Sequence, residues 1–213
     1  MPFHDRINKA PPYLGDSANN AGFSCAAIKK SGSVLPGDGV YWITAGGGPF
    51  QAYCDMSLDG GGWTLVARVI VNQNNMVTGS SGSTPIQPGQ SSFAKLSDSM
   101  INKIRASSDY TGSTDIRMTC QFSSPITMYV SSSCSFNANQ RVDSVPNCDR
   151  VTRSFEGSLH DMNPNEGTRG FGHHHSGGWF AYTSTHYSSR GCHADAYNSN
   201  GRNGNANGVM WVK

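Results

Sequence analysis

The chain has 213 residues, only 14% of them charged, with a formal net charge of +2. That length suits one large domain with a real hydrophobic core. The scattered Lys and Arg offer no electrostatic footprint for nucleic acid, and no stretch approaches the roughly 20 apolar residues that span a bilayer.

Residues 1–20 read as a flexible leader punctuated by Pro11-Pro12 and Asn19-Asn20, and residues 21–213 as a single domain. The opening MPFHDRINKAPPYLGD has no apolar h-region, so Met1 reads as a start placed before a mature secreted domain. Residues 24–30 predict a short helix with Ala26, Ala27 and Ile28 inward. Residues 40–43 and 50–54 predict two short strands around the turn Gly46-Gly47-Gly48-Pro49. The stretch YCDMSLDGGGWTLVAR, residues 53–68, joins a cysteine, an acidic turn, three glycines and an apolar run opened by Trp63. It predicts a tight glycine turn feeding a buried central strand over 63–71.

Residues 78–92, TGSSGSTPIQPGQSS, read as a long exposed loop. Helical periodicity over 93–106 places Leu96, Met100, Ile101 and Ile104 on one face, with Ser97 or Ser99 as the cap. Residues 116–120 and 126–130 alternate like strands. Beyond about Asn137 the pattern dissolves, and only residues 208–213 are strand-like. This last third, rich in Gly, Asn, His and aromatic residues, reads as the working region carried by the scaffold before it.

Six cysteines, Cys25, Cys54, Cys120, Cys134, Cys148 and Cys192, with no CxxC pair favour disulfides in an oxidising compartment over a zinc knot. Cys25–Cys54 is expected to close an N-terminal unit around Pro36-Gly37, worth about 3–4 kcal/mol in the chain-entropy picture. Cys120–Cys134 and Cys148–Cys192 are the expected remainder, although arithmetic alone does not choose among pairings.

Asp161, Asn163, Asn165 and Glu166, closed by Gly167, space oxygen donors in a way that can wrap Ca²⁺; the same cluster also suits an ordinary Asx turn. Mg²⁺ fits less well, since it demands stricter geometry. In an extended His173-His174-His175 segment only alternate residues share a face. Zinc with His160, His186 or His193 is one reading and a polar loop rim the other. Trp179, Phe180, Tyr182, Tyr187 and Tyr197 supply aromatic faces beside polar groups, which suits a sugar; Trp179 and Phe180 also suit a core beneath the loops. Arg190-Gly191-Cys192-His193 would hold His193 rigidly beside a disulfide. The chain has no HExxH segment, nucleophile elbow or phosphate-binding glycine loop, so a non-enzyme is expected.

These residues carry a resemblance. Ser24-Cys25, GVYWI at 39–43, FQAYCDMSLDGGGWTLVAR at 50–68 and CHADAYNSNGRNGNANGVMW at 192–211 resemble the fibrinogen-like domain. GGGWTLVA at 60–67 and the histidine–glycine–aromatic run at 174–180 are similar to intelectin lectins. The resemblance implies an α+β fold: a small disulfide-stapled N-terminal subdomain, a central twisted antiparallel sheet with short helices, and a loop-rich C-terminal binding region. It also implies a secreted, non-catalytic lectin of innate-immune recognition or cell adhesion that binds N-acetylated or diol-bearing sugars of glycans and glycoproteins with Ca²⁺. By that resemblance Cys192 and His193 would line the pocket; Trp179, Tyr182, Tyr197 and His174 complete the expected ligand-binding set, and Asp161, Asn163, Asn165 and Glu166 are the expected metal ligands on their own spacing rather than on a family match. The alternative is a structural or adhesive extracellular domain that binds protein. Weak single sites would call for a homo-oligomer to gain avidity.

Overall fold

The structure, a computed structural model, describes residues 12–32, 37–69, 78–107, 116–120, 126–130, 152–155, 158–161, 180–182, 190–192 and 208–213. Two helices, α1 (Cys25–Lys30) and α2 (Asp98–Arg105), accompany eleven strands among these residues. The strands are β1 (Gly39–Ile43), β2 (Phe50–Asp55), β3 (Trp63–Val69), β4 (Ala94–Lys95), β5 (Ile116–Cys120) and β6 (Ile126–Val130), then β7 (Thr152–Phe155), β8 (Ser158–Asp161), β9 (Phe180–Tyr182), β10 (Arg190–Cys192) and β11 (Gly208–Val212). Seven of them form one antiparallel sheet in the order β1-β2-β3-β11-β5-β6, with β4 added beside β3; β7-β8 and β9-β10 form two-stranded ribbons.

The core sits around β3 and β11. Residues 63–68 and 208–212 are buried throughout rather than alternating; α1 packs against β3 and α2 against β11. β1 does alternate, sending Tyr41 and Ile43 inward. Its free edge is covered by the preceding chain: Trp42 N–H donates to Gly15 C=O at 2.8 Å and Thr44 N–H to Gly22 C=O at 2.8 Å. Tyr13 packs edge-on against Tyr41 at 5.8 Å. From residue 12 onward, the stretch expected as leader is therefore a cover for a strand edge, which otherwise invites pairing with another chain.

Cys25 and Cys54 are bonded, with Cα atoms 5.6 Å apart, tying α1 to β2. Ser24 caps α1 by accepting from Ala27 N–H at 3.2 Å. The glycine turn has a plain steric cause. Gly60, Gly61 and Gly62 all have positive φ, and a Cβ on Gly61 would stand 2.1 Å from the Met56 carbonyl oxygen.

Three expectations change. The helix expected over 93–106 begins only at Asp98, because Ala94 and Lys95 pair with Arg68 and Ala67 of β3 and tertiary pairing overrides the local period. Ser97, not Ser99, caps it, accepting from Met100 N–H at 3.3 Å. The last third is less irregular than expected: β7 to β10 lie within it, each only three or four residues long and too short to show a period. The 78–92 loop is exposed in most places but anchored, with Ile86 only 2% exposed.

Candidate functional site

The sheet has two unlike ends. At one, Thr64, Val212 and Ile116 lie in register; at the other, Val69, Gly208 and Cys120 do. β11 begins at this second end with Gly208. β10 lies against β5, which brings the β9-β10 ribbon to the sheet.

Two of the predicted ligand-binding residues belong to this ribbon. Tyr182 stands opposite Arg190 and Cys192 opposite Phe180. Alternation places Phe180, Tyr182, Arg190 and Cys192 on one face and Ala181 and Gly191 on the other. Trp179 and His193 adjoin the ribbon in sequence; with His174 and Tyr197 they lie outside the described residues. Asp161, the first of the predicted calcium ligands, is the last residue of β8, opposite Thr152. Asn163, Asn165 and Glu166 lie outside the described residues, as do the expected pairings of Cys120, Cys134, Cys148 and Cys192 at the level of side chains.

The opposite end holds an electrostatic lock whose partners lie too far apart in the chain for any local pattern to announce. Arg117 on β5 reaches across β11 and β3 to Asp55 on β2, with Nη2 2.5 Å from Oδ2. Its guanidinium carbon lies 4.8 Å from the ring centroids of both Trp63 and Trp211. Lys213 Nζ lies 5.0 Å from the Trp63 centroid, and Tyr53 packs edge-on to Trp211 at 6.1 Å. The result is a ladder of Lys213, Trp63, Arg117, Trp211 and Tyr53. Cations on indole faces are attracted by the ring quadrupole, more strongly when desolvated. Arg117 Nε and Nη1 and Trp211 Nε1 have no hydrogen-bond acceptor among the described residues. Ring faces, Asp55 and the Asp59 carboxylate, 3.9 Å from Nη1, therefore hold this charge in place of a full hydrogen-bond shell.

Asp55 is the hub of this end. Burial pushes its carboxyl up, but the N–H groups of Leu58 and Ser57 and the Arg117 guanidinium outweigh burial and hold it below the usual carboxylate range. Burial pulls Arg117 down, opposed chiefly by Asp55. A charge inside an otherwise apolar alternating strand, Ile116-Arg117-Met118, was the available signal: such a residue needs a buried partner.

Arg68, near the second end, is buried differently. It donates to Ser92 C=O, to Gln87 C=O at 2.6 Å and to Gln90 Oε1 at 2.7 Å. These neutral oxygens belong to the loop that precedes β4, so one side chain shapes 87–92. Lys95 is buried alongside, donating to Leu96 C=O at 2.8 Å and to Asp98. Burial lowers its pKa, with Asp98 opposing.

No protein-family profile matches the chain. Among solved structures, the fibrinogen-like globe domain of human ANGPTL6 is similar at 15% identity over 96% of each chain, with a TM-score of 0.46. That of human ANGPTL2 is similar at 15% identity over 90% of this chain and 98% of its own, also at 0.46. A lamprey fibrin D-dimer complexed with the peptide Gly-His-Arg-Pro-amide matches 75% of this chain and 47% of its own at 13% identity and 0.38. All three are fibrinogen-like or fibrin structures. Among the described residues, no helix is long and apolar enough to cross a membrane.

Proposed function

We propose that this chain is an extracellular, non-catalytic binding domain that recognises carbohydrate through its C-terminal loops. The observation that carries the reading is the β9-β10 ribbon, holding Tyr182 and Cys192 on paired strands, whose β10 lies against β5, the strand that pairs with β11 at the end of the family-like motif. A sugar would stack its C–H face on an aromatic ring while fixed polar groups, His193 and backbone amides among them, bind its hydroxyls or acetyl group. The buried Cys25–Cys54 bond supports an oxidising compartment.

Calcium belongs to this proposal through the chemistry of its donors. Asp161, Asn163, Asn165 and Glu166 offer hard oxygens, two of them charged, at the end of β8. Bound there, Ca²⁺ would order the loop or meet sugar hydroxyls.

A glycan array run with calcium and again with chelator tests the proposal. Binding that weakens on chelation and in His193→Ala is the expected result. Silence against diverse glycans, with capture of a protein partner that free sugar does not displace, would replace it with an adhesive protein-binding role. Histidine participation predicts affinity falling as pH drops through about 6.5; a flat titration removes the histidines. Strong binding only from associated copies would show that avidity from a homo-oligomer is used.

A further inference from the structure

We propose that the 78–92 loop is an O-glycosylation site, with Ser83 and Thr84 as acceptors for an N-acetylhexosamine delivered from its nucleotide-activated form. The proposal takes only the compartment from the extracellular reading above and is independent of what the domain binds.

The loop, TGSSGSTPIQPGQSS, has no charged and no aromatic residue, and Ser and Thr clustered with Pro is the composition of O-glycosylated segments. No Asn-X-Ser/Thr triplet occurs anywhere in the chain, so N-linked attachment has no acceptor here.

Structure selects among the hydroxyls. Ser80 Oγ accepts from Ser97 N–H at 3.0 Å, and Ser92 Oγ accepts from Arg68 at 3.2 Å, so both are engaged in holding the loop. Ser83 and Thr84 are exposed and stand on a short arch pinned on both sides. Before the arch, Ser81 exchanges backbone hydrogen bonds with Lys95 at 2.9 and 2.8 Å. Gly82 lies so close to β4 that a Cβ there would meet the Phe93 carbonyl oxygen at 2.4 Å. After the arch, Ile86 is inserted in the core at 2% exposure, and Arg68 grips Gln87, Gln90 and Ser92. The arch, anchored at Ser81 and Ile86, presents two adjacent hydroxyls followed by Pro85 to solvent, where a transferase can reach them.

In the transfer, the acceptor Oγ attacks C1 of the hexosamine. The bond from C1 to the diphosphate oxygen breaks, the nucleoside diphosphate leaves with the electron pair, and the hydroxyl proton passes to that leaving group. The product is a hexosamine O-linked to Ser83 or Thr84. It would sit beside the strand pair β3-β4.

The test uses the folded, disulfide-intact chain with UDP-N-acetylgalactosamine and polypeptide N-acetylgalactosaminyltransferases, followed by intact mass and fragment mapping. The expected result is hexosamine on Ser83 or Thr84, with most incorporation lost in the S83A/T84A double variant and retained in S80A. No incorporation, or incorporation that S83A/T84A leaves unchanged, overturns the proposal. A silent glycan array would sink the sugar-binding reading and leave this result standing.

Discussion

Arg117 and Arg68 are both 1% exposed, yet one meets a carboxylate and two indole faces while the other meets only neutral oxygens. The difference follows their reach. Arg117 ties β5 to β2 across 62 positions of sequence, so its loss should be felt by the whole sheet. Arg68 ties β3 to a loop 19 to 24 positions away, so its loss should be felt there first. The acceptor chemistry sharpens the contrast, since a carboxylate titrates and a carbonyl does not.

The largest expected effect is at the first arginine. Removing one partner of a buried pair strands the other, and Arg117→Met or Asp55→Ala should each cost about 3–5 kcal/mol. Urea denaturation would show a lower midpoint with an unchanged m value. Because the two residues form one network, the double variant should cost less than the sum of the singles.

Arg68→Met should be milder, on the scale of about 1.5–3 kcal/mol for hydrogen bonds to a charged group. Its signature is local: limited proteolysis should cut residues 87–92 faster, whereas Arg117→Met should speed cleavage across the chain. Arg68→Lys should not restore protection, since an ammonium lacks the planar fork that reaches several acceptors. Uniform cleavage in both variants would erase the distinction between the two ends.

Acid separates them further. The Asp55 carboxyl is held below its usual range in the folded protein. Its contribution is therefore present above the unfolded value, about 3.9, and is lost as pH falls through the lower folded value. Stability measured by denaturant at stepped acidic pH should decline less steeply in Asp55→Asn than in the parent, and Arg68→Met should keep the parent slope. The smallest effect concerns a part that neither arginine touches. Ser97→Ala should cost about 1 kcal/mol through the lost α2 cap, readable as a small fall in thermal midpoint.

Legibility in sequence followed local physics. Strands β1, β2, β3 and β11 and the Cys25–Cys54 bond were readable because apolar patterning, glycine sterics and cysteine parity act over short spans. Strand β4 was not, because Ala94-Lys95 has no period and owes its form to pairing with Ala67 and Arg68. Strands β9 and β10 escaped for the same reason: three residues carry too little pattern to announce a strand. For the candidate site, sequence nominated Tyr182 and Cys192, and only their register showed that they share a face.

The stapled N-terminal unit, the glycine turn at 60–62 and the buried strand it feeds are written in local sequence, since each depends on residues within a few tens of positions. Which buried charges meet, where residues 12–22 lie, and that β10 comes to rest against β5 emerge only in the folded chain. Those outcomes depend on partners far apart in the chain, and no local propensity encodes the meeting of Asp55 with Arg117.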